Sequence, residues 1–207
     1  RAVETLKTCT KPKAAASLIR EYKLPREVVP TQLLNDVEVW DALLENMKPE
    51  AMVRNLGKMT SIGLLAPLSK HTNFVTGVLG NADALKRARL HPIKVLAALL
   101  TYKQGHGVKG SLSWQPVNSI VDALDGAFYT CFQAVEPTNK RTLLALDVSG
   151  SMTMADCGGV PGLTPRIGSA AMSLVTAATE RQHHFIGFSS ASSGYGGRWG
   201  GGDPGVT

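Results

Sequence analysis

Cysteine is scarce in this chain. Its three cysteines, Cys9, Cys131 and Cys157, lie far apart and form no C-x-x-C pair, which argues against both a disulfide framework and a structural zinc site. Long apolar runs are missing as well. The longest strongly apolar, uncharged stretch is about Met59 to Ser69, well short of the ~20 residues a membrane helix needs, so no membrane partner is expected. The opening residues do not read as a secretory leader, and none is expected. A phosphate-binding loop ending in Gly-Lys-Ser/Thr is also absent. With 43% apolar and 18% charged residues, the composition is that of a folded chain rather than a disordered one. The 207 residues leave room for one large domain or two small ones. The chain does not start with Met and stops in a glycine-rich stretch, so it is expected to be a piece of a longer, soluble and cytoplasmic polypeptide.

Acidic residues are thin in one region. Between Lys48 and Lys109 there are ten basic residues and only two acidic ones, Glu50 and Asp83, within an overall net charge of +6. A folded segment this basic points to a polyanion, nucleic acid first. A solvated helical surface is the other reading of the same charges.

Residues 1 to about 137 read as helices divided by short breakers. Asn35-Asp36-Val37-Glu38 has capping-box spacing with Asn35 as the cap, and Trp40, Leu43, Leu44 and Met47 follow at helical intervals. Pro49 opens the next helix, with Met52, Leu56 and Met59 on one side and Arg54, Asn55 and Lys58 on the other. After the Leu90-His91-Pro92 break, Ile93, Leu96, Ala97 and Leu100 repeat the pattern. A helix from Pro116 carries Val117, Ile120, Val121, Leu124, Phe128, Cys131, Phe132 and Val135 on one stripe, which makes Cys131 a core residue. Short amphipathic helices in series suggest stacked pairs of the HEAT type.

Near residue 138 the style changes. Leu143-Leu144-Ala145-Leu146 reads as a strand buried on both faces. A Gly/Pro-rich loop follows, then a helix with Ile167, Ala170, Ala171, Leu174 and Ala178 on one face, then a second strand over His184–Phe188. This is a βαβ unit of a parallel, doubly wound sheet, and its crossover should be right-handed. The expected division is therefore 1–137, helical repeats, and 138–207, the first part of an α/β domain.

The first strand runs into Asp147-Val148-Ser149-Gly150-Ser151. At the carboxyl end of a strand, where ligands of such sheets collect, one carboxylate and two hydroxyls can converge on a hard divalent cation. Magnesium suits Asp147, Ser149 and Ser151. The same residues would also serve as a plain polar turn with a serine cap. A haloacid-dehalogenase-type phosphatase would want a second aspartate in place of Ser149. A serine nucleophile would need a nearby base, and His183 and His184 stand at the far end of the second strand. No enzyme is expected.

Leu24-Pro25-Arg26-Glu27, Glu38-Val39-Trp40-x-Ala42-Leu43-Leu44 and Arg54-Asn55-Leu56-Gly57-Lys58-Met59-Thr60 resemble the Ro autoantigen (TROVE) family. So do Ala88-Arg89-Leu90-His91-Pro92, Thr101-Tyr102-Lys103-x-Gly105-His106-Gly107 and Val135-Glu136-Pro137-Thr138-x-Lys140-Arg141, and the likeness runs in order from about Leu24 to Phe188. It implies a ring of HEAT-like repeats closed by a von Willebrand factor A domain, in a ribonucleoprotein. It further implies binding of small noncoding Y-type RNAs on the outside of the ring, capture of single-stranded ends of misfolded RNA in its hole, and a role in RNA quality control. Asp147, Ser149 and Ser151 match the start of the metal-ion-dependent adhesion site of A domains, whose threonine and second aspartate come from later loops. The repeats that complete the ring are likewise expected outside this chain. The Gly/Ser-rich end (189–202) departs from the family pattern.

Under that resemblance the RNA-contact candidates form three groups: Arg54, Asn55 and Lys58 on one helical face; Lys86, Arg87, Arg89, His91 and Lys94 around the break; and Lys103, His106 and Lys109 about a Gly-rich turn. Asn55 and His91 could equally be hydrogen-bonding fixtures of the helices. If His91 and His106 act on RNA, they should share a concave or basic surface. A second expectation makes the chain a protein-interaction module, its A-domain metal docking an acidic residue of a nuclease or other protein, with the helices only a scaffold.

Overall fold

The structure, a computed structural model, describes residues 1–108 and 110–189. Lys109 and nearly all of the Gly/Ser-rich end therefore lie outside the described residues. The chain forms two compact units, Arg1–Ala134 and Val135–Thr207.

The first unit is helical: α1 (Ala2–Lys7), α2 (Pro12–Tyr22), α3 (Val37–Leu44), α4 (Pro49–Ser61), α5 (Lys70–Leu79), α6 (Ala82–Arg87), α7 (Pro92–Lys103) and α8 (Asn118–Thr130), with short 3-10 turns at Arg26–Val28, Thr31–Asn35 and Cys131–Ala134. Proline at the first turn starts α2, α4 and α7, where its missing N–H has no helical partner to lose. Side-chain caps start α5 and α6: Ser69 accepts from the Thr72 N–H and Asn81 from the Ala84 N–H. Arg89, at φ +50, takes the left-handed position that usually falls to glycine after a helix. The Leu90 N–H then reaches back to the Leu85 carbonyl and closes α6.

Sequential helices pack on one another, α2 on α3 and α7 on α8, with α5 also against α8. Leu6, Ile19, Trp40, Met52, Leu56, Met59, Leu79 and Ile120 are among the wholly buried side chains. An ionic network ties three helices at the surface: the Arg20 guanidinium donates to Asp41 (2.6 Å) and Glu45 (2.7 Å), and His71 Nε2 lies 2.6 Å from the other Asp41 oxygen. The two carboxylates hold the Arg20 pKa above its ordinary value, the Glu45 hydrogen bond first.

Several local expectations are corrected. The cap of α3 is Asp36, which accepts from the Glu38 and Val39 N–H groups, while Asn35 accepts instead from Lys58. Two adjacent cap-forming residues made either register possible, and Met47 falls beyond the helix end. On α7 the buried side is Val95, Leu99 and Tyr102 rather than Ile93, Leu96, Ala97 and Leu100, which are half-buried. This helix is apolar nearly all round, so two overlapping stripes fit its sequence. The Pro116 helix begins at Asn118 and tightens into the 3-10 turn at Cys131. Cys131 is fully buried, and burial pushes its thiol up to about 11.

In the second unit β1 (Thr142–Asp147) and β2 (His183–Phe188) pair in parallel, Thr142 against His183 through Asp147 against Phe188, with α9 (Pro165–Thr179) as the crossover. A helical unit followed by a strand–helix–strand unit with parallel strands is thus the architecture. β1 was expected to be covered on both faces, yet Leu143 is 60% exposed. On α9 the buried residues are Ala171, Ser173 and Val175, whereas Ile167 and Leu174 of the expected stripe are exposed. Among the described residues β2 is also exposed at Phe185, Ile186 and Phe188, so apolar periodicity marks more surface than this unit buries. Glu180, buried just after α9, accepts hydrogen bonds from the backbone N–H groups of Thr138 (2.6 Å) and Asn139 (3.0 Å), which holds its carboxyl below the usual carboxylate range.

Candidate nucleic-acid interface and metal-binding turn

A groove of about 830 Å³ opens in the helical unit between α4, α7 and the residues Gly107, Val108, Leu112 and Trp114. Its cations are Arg26, Arg54, Lys58 and Lys94, against one carboxylate, Glu50. Its apolar lining includes Leu34, Val53, Ala97, Ala98 and Leu112. Arg54 and Lys58 stand one turn apart on α4, on the same face. Lys58 donates to Asn35 Oδ1 (2.7 Å), and Lys94 is paired with Glu50 (2.7 Å), which holds the Glu50 carboxyl below its ordinary range. Among the described residues Arg26 and Arg54 make no ion pair.

The far wall is Trp114, which the sequence pattern did not single out. Its ring stacks on Tyr102 (centroids 6.1 Å apart, planes at 19°), and its indole N–H donates to the Tyr102 carbonyl (2.9 Å). The ring lies directly over Gly57: a Cβ there would stand 2.6 Å from the indole. Glycine inside a helix is destabilising, and an isolated glycine in the Arg54–Thr60 pattern was the available signal for this close approach. Gly105, at φ +79, lets the chain turn back so that the Trp114 N–H bonds its carbonyl (2.8 Å). Tyr102 completes the wall from within, its hydroxyl 2.9 Å from Thr60 Oγ1 and accepting from the Val117 N–H (3.2 Å). Gly57→Ala should therefore destabilise the helical unit. Overpacking of roughly 1–3 kcal/mol exceeds the ~1 kcal/mol that alanine gains over glycine in a helix. Thermal unfolding checks this, and an unchanged or raised midpoint would mean the indole yields freely.

The other sequence candidates, Asn55 apart, fall outside the groove lining. Asn55 lines the groove, but its amide N–H donates to the Ala51 carbonyl of its own helix (2.7 Å). His91 caps α7, its Nδ1 accepting from the Ile93 N–H (3.2 Å). His106 is exposed past the other end of that helix and pairs by backbone with Ser113. The twelve residues of α7 separate the two histidines by roughly 18 Å. Lys86, Arg87, Arg89 and Lys103 are exposed and outside the groove lining, and Lys109 lies outside the described residues. Arg26 stood in the Leu24-Pro25-Arg26-Glu27 motif but not among the RNA-contact candidates.

In the second unit the turn after β1 draws its three oxygen groups together. Asp147 Oδ1 accepts from the Ser149 backbone N–H (2.9 Å) and from its hydroxyl (2.5 Å), and Ser149 Oγ lies 3.2 Å from Ser151 Oγ. The Ser149 hydroxyl, then its N–H, keep the Asp147 carboxyl below its usual range, hence charged near neutral pH. Arg166, at the start of α9, donates to the carbonyls of Val148 (3.2 Å) and Ser149 (3.1 Å) and so fixes the turn against the helix. An all-oxygen set is donor chemistry that fits a hard divalent ion, and Asp147, Ser149 and Ser151 are the residues that could hold one here. Among the described residues no cluster of three or more His, Cys, Asp or Glu side chains accompanies them. His183 pairs with Thr142, at the opposite end of the strand pair from Asp147, about 16 Å away at ~3.3 Å per residue.

The family model described as TROVE domain matches residues 21–101, and that described as Ro60 vWA domain matches residues 141–195, so the two together cover well over half of the chain. A Deinococcus radiodurans protein named RNA-binding protein RO60 is 47% identical over 176 residues, 84% of this chain and 33% of that protein. A Caenorhabditis elegans protein of the same name is 42% identical over 171 residues, 82% of this chain and 26% of that protein. The crystal structure of the Deinococcus radiodurans RO (RSR) protein superposes with a TM-score of 0.83 at 44% identity, over 90% of this chain and 38% of that one. The chain spans about a third or less of the curated relatives it matches.

Proposed function

The chain belongs to the Ro (TROVE) family, and from that premise we propose that it is the RNA-binding part of a Ro-type ribonucleoprotein. The observation that carries the reading is the groove within the TROVE-matched segment, where Arg26, Arg54, Lys58 and Lys94 outnumber a single glutamate over an apolar lining. Cations release counterions on meeting phosphate, and the apolar lining accepts what phosphate cannot fill. The RNAs proposed are small Y-like noncoding RNAs and the single-stranded ends of misfolded RNA, handled in quality control or processing in the cytoplasm.

The role is one of binding, without catalysis. Asp147, Ser149 and Ser151 would hold magnesium together with ligands from later loops, and the ion would dock a carboxylate of a nuclease or other protein partner. Salt and chelator separate the two activities. RNA affinity of the intact protein should fall linearly with log salt, by roughly 0.7–0.9 log units per phosphate contact and log unit of salt, and should ignore chelator. Binding that is flat in salt would defeat the RNA reading. Loss of RNA on chelation would transfer the weight to the metal-dependent protein module.

A further inference from the structure

We propose that the α4–α7 groove is a pocket for one unpaired nucleotide, whose base enters the apolar cleft while its phosphates stay on the Arg54–Lys58 rim. The proposal rests on the RNA reading above and adds to it the chemical group that is buried.

The volume, about 830 Å³, falls in the roughly 300–1,000 Å³ range of clefts that take small ligands, so the groove is deeper than a phosphate track requires. A surface that met only the RNA backbone would need the rim cations but not Leu34, Val53, Ala97, Ala98 and Leu112 behind them. An apolar ligand would need the lining but not the cations. A nucleotide answers both, and a base becomes available only when it is neither paired nor stacked.

Polar groups inside the cleft supply edges for a base. Thr60, Thr130 and Thr176 each donate to the carbonyl four residues back in their helices. Thr101, in the last turn of α7 and on the groove, makes no such bond, and among the described residues its hydroxyl has no partner. Asn55 spends its N–H on Ala51 and leaves its carbonyl oxygen to the groove. Asn35 spends its oxygen on Lys58 and leaves its N–H. One hydroxyl, one acceptor and one donor thus surround an apolar slot, a set suited to hydrogen bonding at the edge of a planar heterocycle.

The test uses the intact protein, a short oligoadenylate, and an abasic ribose-phosphate strand of the same length. Ala97→Phe adds bulk to the cleft and removes no rim cation. The oligoadenylate should bind the unsubstituted protein roughly tenfold more tightly than the abasic strand does. Ala97→Phe should remove most of that advantage, bind the abasic strand as before, and keep the salt slope, because the phosphate contacts remain. Equal affinity of the two strands for the unsubstituted protein overturns the pocket, and this comparison stands even if Ala97→Phe fails to fold. An advantage that survives intact in a folded Ala97→Phe also overturns it. If neither strand binds and salt has no effect, the RNA reading itself fails, which is a different result.

Discussion

Replacing Arg54 and Lys58 together by glutamate should lower the affinity of the intact protein for short single-stranded RNA by roughly two orders of magnitude at low salt. The slope of log affinity against log salt should become shallower by about two, one unit for each phosphate contact removed. These two side chains are chosen because they share one face of α4, line the groove, and are held only lightly: Lys58 by the neutral Asn35, Arg54 by no ion pair among the described residues. Lys94 lines the same groove but is already paired with Glu50, so its removal would free a carboxylate as well as delete a cation, and its effect would be harder to read. The comparison that gives the experiment its force is Lys86→Glu with Arg87→Glu, two exposed cations at the end of α6 outside the groove. If net charge alone drives binding, both double variants should weaken it equally. If the groove is the site, the α4 pair should dominate. Fluorescence anisotropy across a salt series measures both quantities, and parity between the two pairs would disperse the site over the whole basic face.

The second large effect concerns magnesium. Asp147→Asn should abolish magnesium binding by the intact protein and leave RNA affinity unchanged, because the cations of the groove belong to the other unit. Asparagine is preferred to alanine because its side-chain oxygen can still accept from the Ser149 N–H and hydroxyl, so the turn keeps its shape and only the charge is lost. Arg166, bonded to the carbonyls of Val148 and Ser149, should hold the backbone in either form. The 207-residue chain alone should bind the ion weakly or not at all, since it supplies one carboxylate and two neutral hydroxyls at this turn. Calorimetry with magnesium beside an RNA titration on the same variant tests both halves. Retained metal would remove Asp147 from the site, and a parallel loss of RNA would tie together two functions held here to be separate.

Much of this arrangement was legible in the sequence, and the failures have physical causes. Proline at the start of α4 and α7, and the apolar strand ending in Asp147, are local signals, and local chemistry decides them. The grouping of Arg54 with Lys58 followed from helical spacing alone. What spacing could not supply was the partner across the groove. Trp114 reaches Gly57 over 57 positions of chain, and nothing in either neighbourhood measures that distance. His91 carried two readings, a contact beside three cations or a hydrogen-bonding fixture of the helices; its Nδ1 caps the first turn of α7, a use that depends on the rotamer rather than on composition. On α7 and α9 apolar residues outnumber the positions that are buried, so periodicity had more than one solution.

The indole that walls the groove has a thermodynamic consequence. Trp114 is held by Tyr102 through ring and carbonyl, by the Gly105 backbone, and by the bare surface of α4 at Gly57, while the Tyr102 hydroxyl is anchored to Thr60 and Val117. The rotamer freedom of this wall is surrendered when the helical unit folds, not when a guest arrives. The cleft therefore behaves as a calliper of fixed gauge: occupancy should bring a negative heat-capacity change from apolar surface leaving water, without the large adverse entropy of a segment that orders on binding.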